Sequence, residues 1–169
     1  MPDESLAASR QTNDSGTRRR EHVRMSPTEV ADYLAGPRTM IVATNGAGGF
    51  PHQVAMFYVM AGPNPVFWSY RRAQKVVNIE RDPRVSCLVE EGTDYRGLRG
   101  VLLTGKARVS LDPDVIEKTW RQLTEKYTGP ITEPDLANFR RQADKRCVVT
   151  VEVIRVTSWD HRKLPPGKH

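Results

Sequence analysis

The residues best suited to chemistry lie in one segment, residues 68–86, with the sequence WSYRRAQKVVNIERDPRVS. A strand-like run ends there at Ser69 and Tyr70, and a helix is predicted to begin directly afterwards. The first turn of that helix would carry three cations: Arg71, Arg72 and Lys75. Because the start of a helix carries partial positive charge, cations are unfavourable there unless an anion lies nearby. The segment therefore predicts a phosphate site, although solvated surface charge would explain the same residues.

Other kinds of reactive site have no signature in this sequence. The four histidines are scattered along the chain: His22, His52, His161 and His169. Their spacing fits neither a compact metal site nor a Ser/His/Asp triad, so we expect no metal. Cys87 and Cys147 each lie in an apolar run without a CxxC partner, which predicts buried, reduced thiols. This pattern is compatible with redox chemistry in which a bound cofactor carries the reactive atom.

Six strand-like runs dominate the chain. They lie at residues 39–45, 52–60, 66–70, 84–90, 100–110 and 147–160, and they are rich in β-branched, aromatic or other apolar residues. Most are predicted to pair in antiparallel fashion, and the Gly-rich stretch GAGGFP suits a hairpin between the first two. Six such strands favour a small closed or nearly closed barrel. The predicted fold class is therefore mainly β (α+β), with short flanking helices.

Four helices are predicted from capping signals and apolar spacing. Ser26, Pro27 and Glu29 form a helix-start signature, and Gly36 would end that helix. The apolar face of the second helix would comprise Ala73, Val76, Val77 and Ile79. Asp112 would cap the third, whose apolar stripe is Ile116, Trp120, Leu123 and Tyr127. A fourth, short helix would carry Leu136, Phe139 and Ala143.

Length and charge limit the organisation and the partners. The 169 residues suit one domain, placed at 25–164 between a disordered tail at 1–24 and a short tail at 165–169. No run approaches the roughly 20 apolar residues that span a bilayer, and no apolar export region is seen, so we expect a cytoplasmic protein. The net charge of +6 could attract nucleic acid, an anionic membrane or a phosphorylated small molecule. Aromatic and cationic residues do not alternate on one strand face, which argues against nucleic acid.

Four stretches together resemble a known protein family. They read TMIVATNGAGGFPHQVAMFYV, FWSYRRAQKVVNIERDPRVSCLVEEG, YRGLRGVLLTGKARV and VEVIRVTSWDHRKL. In order and spacing they are similar to the actinobacterial pyridoxamine-5′-phosphate-oxidase-like proteins, in particular the branch that uses the deazaflavin coenzyme F420. The resemblance spans residues 26 to about 164. Its most specific pieces are Lys75, Asn78 and residues 81–84, followed by residues 99–101 and Gly105.

This resemblance implies a six-stranded split β-barrel of the FMN-binding-like kind, which pairs into a homodimer. One cofactor would lie in each of two grooves formed by both subunits. The family's phosphate-binding lysine corresponds to Lys75. Several relatives carry an arginine two residues earlier, where this chain has Ala73, so Arg71 or Arg72 would have to supply the second cation.

The same resemblance implies which residues line the tricyclic ring of the cofactor. They are Met56, Phe57 and Tyr58 on the second predicted strand and Trp68, Ser69 and Tyr70 on the third. Strand alternation allows only every second one of them to face the ring. Asn78 completes the set on the helix. Trp159 would either reach the neighbouring subunit's site or pack at the interface without touching the cofactor.

The implied function is that of an oxidoreductase in which reduced F420 gives a hydride to an unsaturated or carbonyl-bearing small molecule. The anionic oligoglutamate tail of that coenzyme would suit Arg71, Arg72 and Lys126. Tyr58, Tyr70 or a bound water could deliver the accompanying proton. Two alternatives remain open: an FMN-dependent enzyme of the same fold, and a non-catalytic protein that binds a flavin or a tetrapyrrole.

Overall fold

A computed structural model describes residues 21–165. These residues form four α-helices of eight or more residues and seven β-strands. The helices are α1 (Pro27–Ala35), α2 (Gln74–Arg81), α3 (Pro113–Tyr127) and α4 (Glu133–Gln142). The strands are β1 (Met40–Asn45), β2 (Pro51–Met56), β3 (Val59–Ala61), β4 (Asn64–Tyr70), β5 (Arg84–Glu91), β6 (Arg99–Ser110) and β7 (Arg146–Asp160). Short 3-10 helices, Ala143–Lys145 and His161–Lys163, flank β7.

The strands form one antiparallel sheet with the order β2-β1-β5-β6-β7-β4-β3. This confirms the α+β class and the antiparallel pairing. The predicted count of six strands is wrong for the described residues, because the predicted strand 52–60 is interrupted at Phe57 and Tyr58. Residues 51–56 pair with β1, whereas residues 59–61 pair with β4. The chain therefore changes neighbours at the interruption, and one continuous strand cannot serve both pairings.

The two edges of this sheet approach each other at the same interruption. β2 and β3 stand at opposite ends of the strand order, yet only Phe57 and Tyr58 separate them along the chain. Consecutive Cα atoms are about 3.8 Å apart, so Met56 and Val59 lie within about 11 Å of each other. The sheet must therefore curve back on itself, as the expectation of a nearly closed barrel requires.

Two apolar clusters hold the sheet and the helices together. Along β1, for example, buried and partly exposed residues alternate, which gives the sheet an inner face. Fully buried members of the inner cluster include Met40, Val42, Phe67, Val89, Val101 and both cysteines, Cys87 and Cys147. The second cluster lies between α3, α4 and the strands they cover, and includes Ile116, Trp120, Leu123, Phe139 and Val148. The predicted stripe on α3 is thereby confirmed.

α1 and α3 begin where the capping signals predict. α2 begins only at Gln74, so the prediction that its first turn carries Arg71 and Arg72 is wrong. The Ser26 hydroxyl accepts a hydrogen bond from the Glu29 amide, and the Glu29 carboxylate accepts one from the Ser26 amide. Asp112 likewise caps α3 through the amide of Asp114. One helix-face prediction is wrong: the Val77 side chain is 45% exposed. A helix as short as α2 turns only one narrow face inward, and Val76 and Ile79 occupy it.

The described chain begins inside the region predicted as a tail. Residues 1–20 and 166–169 lie outside the described residues, so most of both predicted tails does too. Residues 21–23 are helical, and Val23 is buried. The amide of Met25 donates a hydrogen bond to the Ser158 hydroxyl of β7, 3.2 Å away. Within residues 21–165, none of the helices has the length and apolar character needed to cross a membrane.

Candidate functional site

The end of β4, the start of α2 and the start of β7 meet at one corner of the sheet. Tyr70 and Arg146 are paired residues in the β4–β7 ladder. The backbone amide of Arg71 donates to the carbonyl of Lys145 (3.0 Å), and its Nε donates to the carbonyl of Arg146 (2.8 Å). These contacts bring Arg146 next to the predicted phosphate segment, although 75 residues separate it from Arg71.

Arg146 is the site residue that sequence reasoning missed. The centre of its guanidinium lies 3.4 Å from the ring centroid of Tyr70 and 4.1 Å from that of Trp68. Its side chain also donates to Gln142 Oε1. Burial lowers the pKa of Arg146, and within residues 21–165 it has no carboxylate partner. The one available signal was its position directly before the last predicted strand, which does not reveal the neighbouring strand.

Lys75 occupies the first turn of α2 and is half-buried. Burial lowers the pKa of Lys75, and the nearby charge of Arg146 adds to this effect. α2 begins at Ala73 without a side-chain cap and without an acidic residue in its first turn. Uncapped amides beside cations without carboxylate partners form a place where an anion is stabilised. We call Arg71, Lys75 and Arg146 the cation cluster; Arg72 is exposed beside it.

Three predicted site residues have side chains that turn into the protein. The Asn78 side chain is fully buried, donating to Thr44 Oγ1 (3.0 Å) and accepting from Gln74 (2.9 Å). The buried Ser69 hydroxyl donates to the carbonyl of Tyr70. Tyr58 is fully buried. Because these side chains lie inside the fold with partners of their own, a ligand outside the sheet can reach only the backbone of Tyr58 and Ser69.

The same packing prevents Tyr58 from donating a proton to a substrate. Its hydroxyl donates to the carbonyl of Leu34, 2.9 Å away. Burial raises the pKa of Tyr58 strongly. The phenol therefore holds its proton inside the core, and the suggestion that Tyr58 protonates a substrate is wrong. Tyr70 remains half exposed, with Arg146 over its ring.

The remaining predicted residues flank an opening in the sheet. β3 pairs with β4 from Val59 opposite Val66, a register that would put Phe57 opposite Trp68 if it continued. It does not continue, because β2 turns away to pair with β1. Phe57 is 57% exposed on one side of this opening, and Met56 is partly buried beside it. On the other side, the Trp68 Nε1 is buried without a hydrogen-bond partner among the described residues.

Trp159 lies far from the cation cluster of its own chain. Its ring packs on Gly100, where an added Cβ would come within 2.3 Å of the indole. Thirteen residues of β7 separate it from Arg146, a strand length on the order of 40 Å. Trp159 therefore cannot join the cluster within one chain.

Two grooves of the described chain lie away from these residues. One, of about 820 Å³, runs between α1 and the β3–β4 turn and is lined mainly by apolar residues such as Leu34, Met60 and Val156. The other, of about 390 Å³, is lined by residues of β1, β2 and β5, among them Gln53 and Arg84. Neither contains a predicted site residue. The candidate site is the surface between the strand interruption at Phe57 and Tyr58 and the cation cluster, and we call this surface the cleft.

Comparison with known proteins agrees with this fold. The family model described as pyridoxamine 5'-phosphate oxidase matches residues 26–160. A conserved hypothetical protein from Mycobacterium tuberculosis, Rv2991, is 37% identical, with 88% of this chain and 94% of that chain covered and a TM-score of 0.79. A comparison with curated proteins gives no match.

Two more distant structures share the fold alone. An F420 reductase is 24% identical, with 74% of this chain and 93% of that chain covered and a TM-score of 0.61. A FAD-binding protein from Mesorhizobium loti is 18% identical, with 79% of this chain and 94% of that chain covered and a TM-score of 0.61. The matched family model spans most of the chain, and the predicted resemblance is confirmed: this chain belongs to the pyridoxamine 5'-phosphate oxidase family.

Proposed function

We propose that the chain is an oxidoreductase that binds the deazaflavin coenzyme F420 through one domain, residues 25–164, and reduces an unsaturated or carbonyl-bearing small molecule. The observation that carries this proposal is the cation cluster, which has no carboxylate partner among the described residues and adjoins the uncapped start of α2. The family consists of flavin- or F420-binding oxidoreductases, and an F420 reductase shares the fold.

The residues around the opening fit a phosphate-bearing cofactor with a planar ring. Lys75 and the two arginines of the cluster supply charge-assisted donors for phosphate oxygens. Tyr70, which is half exposed, supplies an aromatic ring beside the cluster. When bound, the cofactor would supply the hydride. The protein's task is then to orient both ligands and to keep water from the reacting carbon.

The choice between F420 and FMN rests on charge. F420 carries an anionic tail that FMN lacks, and the chain has a net charge of +6. Arg72 is exposed beside the cluster and adds positive charge where the anionic tail of F420 would extend away from the cluster. The FAD-binding neighbour supports the FMN-dependent alternative equally well at the level of fold. A binding protein without turnover would use the same cleft.

Titration of purified apoprotein with F420 and FMN tests the proposal. We expect F420 to bind at least about tenfold more tightly than FMN, because the additional anionic groups meet a cationic surface. The complex of the protein with reduced F420 should then transfer its hydride to members of a panel of enones and quinones. The absorbance of the coenzyme measures this transfer. Tighter binding of FMN would overturn the choice of F420. Binding without turnover on any acceptor would favour the non-catalytic alternative.

We also propose that the chain works as a homodimer with Trp159 reaching the partner's cleft. Two apolar side chains of β7 support a self-interface: Ile154 is 72% exposed and Val156 43% exposed. Val156 also lines the groove of about 820 Å³ beside α1. Contiguous exposed apolar surface of this kind is typical of an interface.

Ile154→Glu is expected to shift the protein from dimer to monomer, because the substitution buries a charge in the proposed interface. Light scattering coupled to gel filtration measures the change at micromolar concentration. Leu111→Glu is the matched control, since Leu111 is also exposed but precedes α3. Cofactor affinity should fall with the dimer if Trp159 completes the partner's cleft. A monomeric wild-type protein would contradict the dimer proposal.

A further inference from the structure

Lys126, in the last turn of α3, is a half-buried cation that the cation cluster does not include. Its Nζ donates to the carbonyl of Tyr58 at 3.1 Å, which uses one of its three N–H groups. The same atom lies 4.3 Å from the ring centroid of Tyr58 and 5.2 Å from that of Tyr127. Within residues 21–165, Lys126 forms no ion pair with a carboxylate. Burial, with the charge of Arg38, lowers the pKa of Lys126.

An exposed aromatic ring lies beside this cation. Phe57 packs on Tyr127 with the two rings tilted by 41° and their centroids 4.6 Å apart, and 57% of its surface is exposed. Tyr127 is held in place because its hydroxyl bonds to the carbonyls of Tyr58 (2.9 Å) and Arg38 (2.8 Å). Phe57 and Lys126 thus flank the same fixed ring. Lys126 Nζ has two N–H groups without a hydrogen-bond partner among the described residues, so it and the exposed Phe57 ring could contact one ligand.

The number of cations at a site indicates which kind of anion it binds. Phosphate, which carries more than one charge, suits the three cations of the cation cluster. A single lysine matches a singly charged carboxylate, and the neighbouring Phe57 ring matches a flat apolar body. A purely structural explanation is that Lys126 only satisfies the carbonyl at the strand interruption. That role would leave its other two donors and the exposed Phe57 without a partner.

We propose that Lys126 and Phe57 bind the carboxylate and the planar body of a conjugated carboxylic acid, which is the substrate. One carbon of its C=C bond accepts the hydride of reduced F420, which is thereby oxidised, and the other carbon takes a proton from water. The assignment of this ligand as the substrate rests on the proposed function. The substrate carboxylate accepts a hydrogen bond from Lys126 Nζ, and its conjugated body packs on Phe57. The Lys126 side and the cation cluster then hold two different ligands along the same opening.

Isothermal titration of the full chain with 2-naphthoate and with its neutral counterpart 2-naphthamide tests this site. Wild-type protein is expected to prefer the carboxylate by about fivefold or more. Lys126→Gln should weaken naphthoate binding about tenfold and leave naphthamide unchanged, since only the charged hydrogen bond is lost. Lys126→Arg should keep most of the preference. Phe57→Ala should weaken both compounds to a similar extent.

Two further variants locate the binding. Lys118→Gln is the matched control, because Lys118 is an exposed lysine on the same helix, and it should behave as wild type. Lys75→Ala should also retain naphthoate binding; its loss there would move the carboxylate to the cation cluster and overturn the proposal. Absence of a wild-type preference for naphthoate would overturn it too. So would an equal loss of naphthoate and naphthamide in Lys126→Gln, which is the structural outcome.

Cofactor titrations on the same samples separate this proposal from the proposed function. Lys126→Gln should bind FMN as wild type does. If wild-type protein binds F420 or FMN but shows no naphthoate preference, the substrate site is wrong and the cofactor proposal stands. If wild-type protein binds neither cofactor but shows the preference, the carboxylate site stands and the redox function is wrong.

Discussion

Lys75→Ala is expected to weaken the binding of F420 and of FMN by about 10- to 100-fold. A hydrogen bond to a charged group contributes about 1.5–3 kcal/mol, and each 1.4 kcal/mol is a tenfold change in affinity. Lys75 is half-buried with Arg71 and Arg146, so solvent screens its charge less than that of a surface lysine. Fluorescence titration of each cofactor measures the loss.

A ligand pair and a control variant isolate the phosphate contact. Riboflavin lacks the phosphate of FMN, so its affinity should be nearly the same for Lys75→Ala and wild type. Lys118→Ala removes an exposed lysine from α3 and should leave all affinities unchanged. Arg146→Ala should act in the same direction as Lys75→Ala. Unchanged F420 and FMN affinity in Lys75→Ala would remove the basis of the proposed function.

Asp160→Asn is expected to lower the free energy of unfolding by about 2–4 kcal/mol at pH 7. The Asp160 carboxylate is almost fully buried at the end of β7, with Arg99 at 3.0 Å and Arg162 at 2.7 Å. Arg99 is also largely buried, so removing the negative charge leaves a cation with only the more exposed Glu91 as partner. Breaking a buried pair costs more than losing a surface one. Urea denaturation measures the difference.

The pH dependence of this effect follows from the direction of the pKa shift. Hydrogen bonds from Arg162, with the charge of Arg99, hold the pKa of Asp160 below its ordinary value of 3.8. A lowered folded-state pKa means that the contribution is complete above the ordinary value and is lost as the pH falls through the lowered one. The difference between wild type and Asp160→Asn should therefore be constant from pH 7 to pH 5 and shrink below about pH 4.

An exposed aspartate provides the comparison for this measurement. Asp32 lies on the exposed side of α1, and Asp32→Asn should change the unfolding free energy by less than about 0.5 kcal/mol. If Asp160→Asn is no less stable than Asp32→Asn at pH 7, the carboxylate does not stabilise the end of the sheet.

Local features of this protein could be predicted from its sequence because they depend on residues a few positions apart. The capping box of Ser26 and Glu29 and the apolar stripe of α3 are of this kind, and both are confirmed. The family resemblance was also accessible, since its motifs are short and ordered. The cationic segment at residues 71–75 could be recognised because cations at the start of a helix are unfavourable without an anion.

The composition of the cleft was decided by strand pairing between distant parts of the chain. Arg146 reaches the phosphate segment only because β7 pairs with β4, and no local pattern reveals that partner. The interruption at Phe57 and Tyr58 arises because β2 and β3 pair with opposite edges of the sheet. It also places Phe57 beside Tyr127 of α3.

The sequence by itself thus determined the helices, the antiparallel class, the family and the existence of a cationic segment. Only the tertiary structure decided which side chains face the cleft: Tyr58 and Asn78 turn inward, whereas Phe57 is exposed and Arg146 joins from β7. The physical reason is the distance along the chain over which each kind of interaction acts. Capping and periodicity act over three or four residues, whereas burial and charge pairing depend on contacts that span most of the chain.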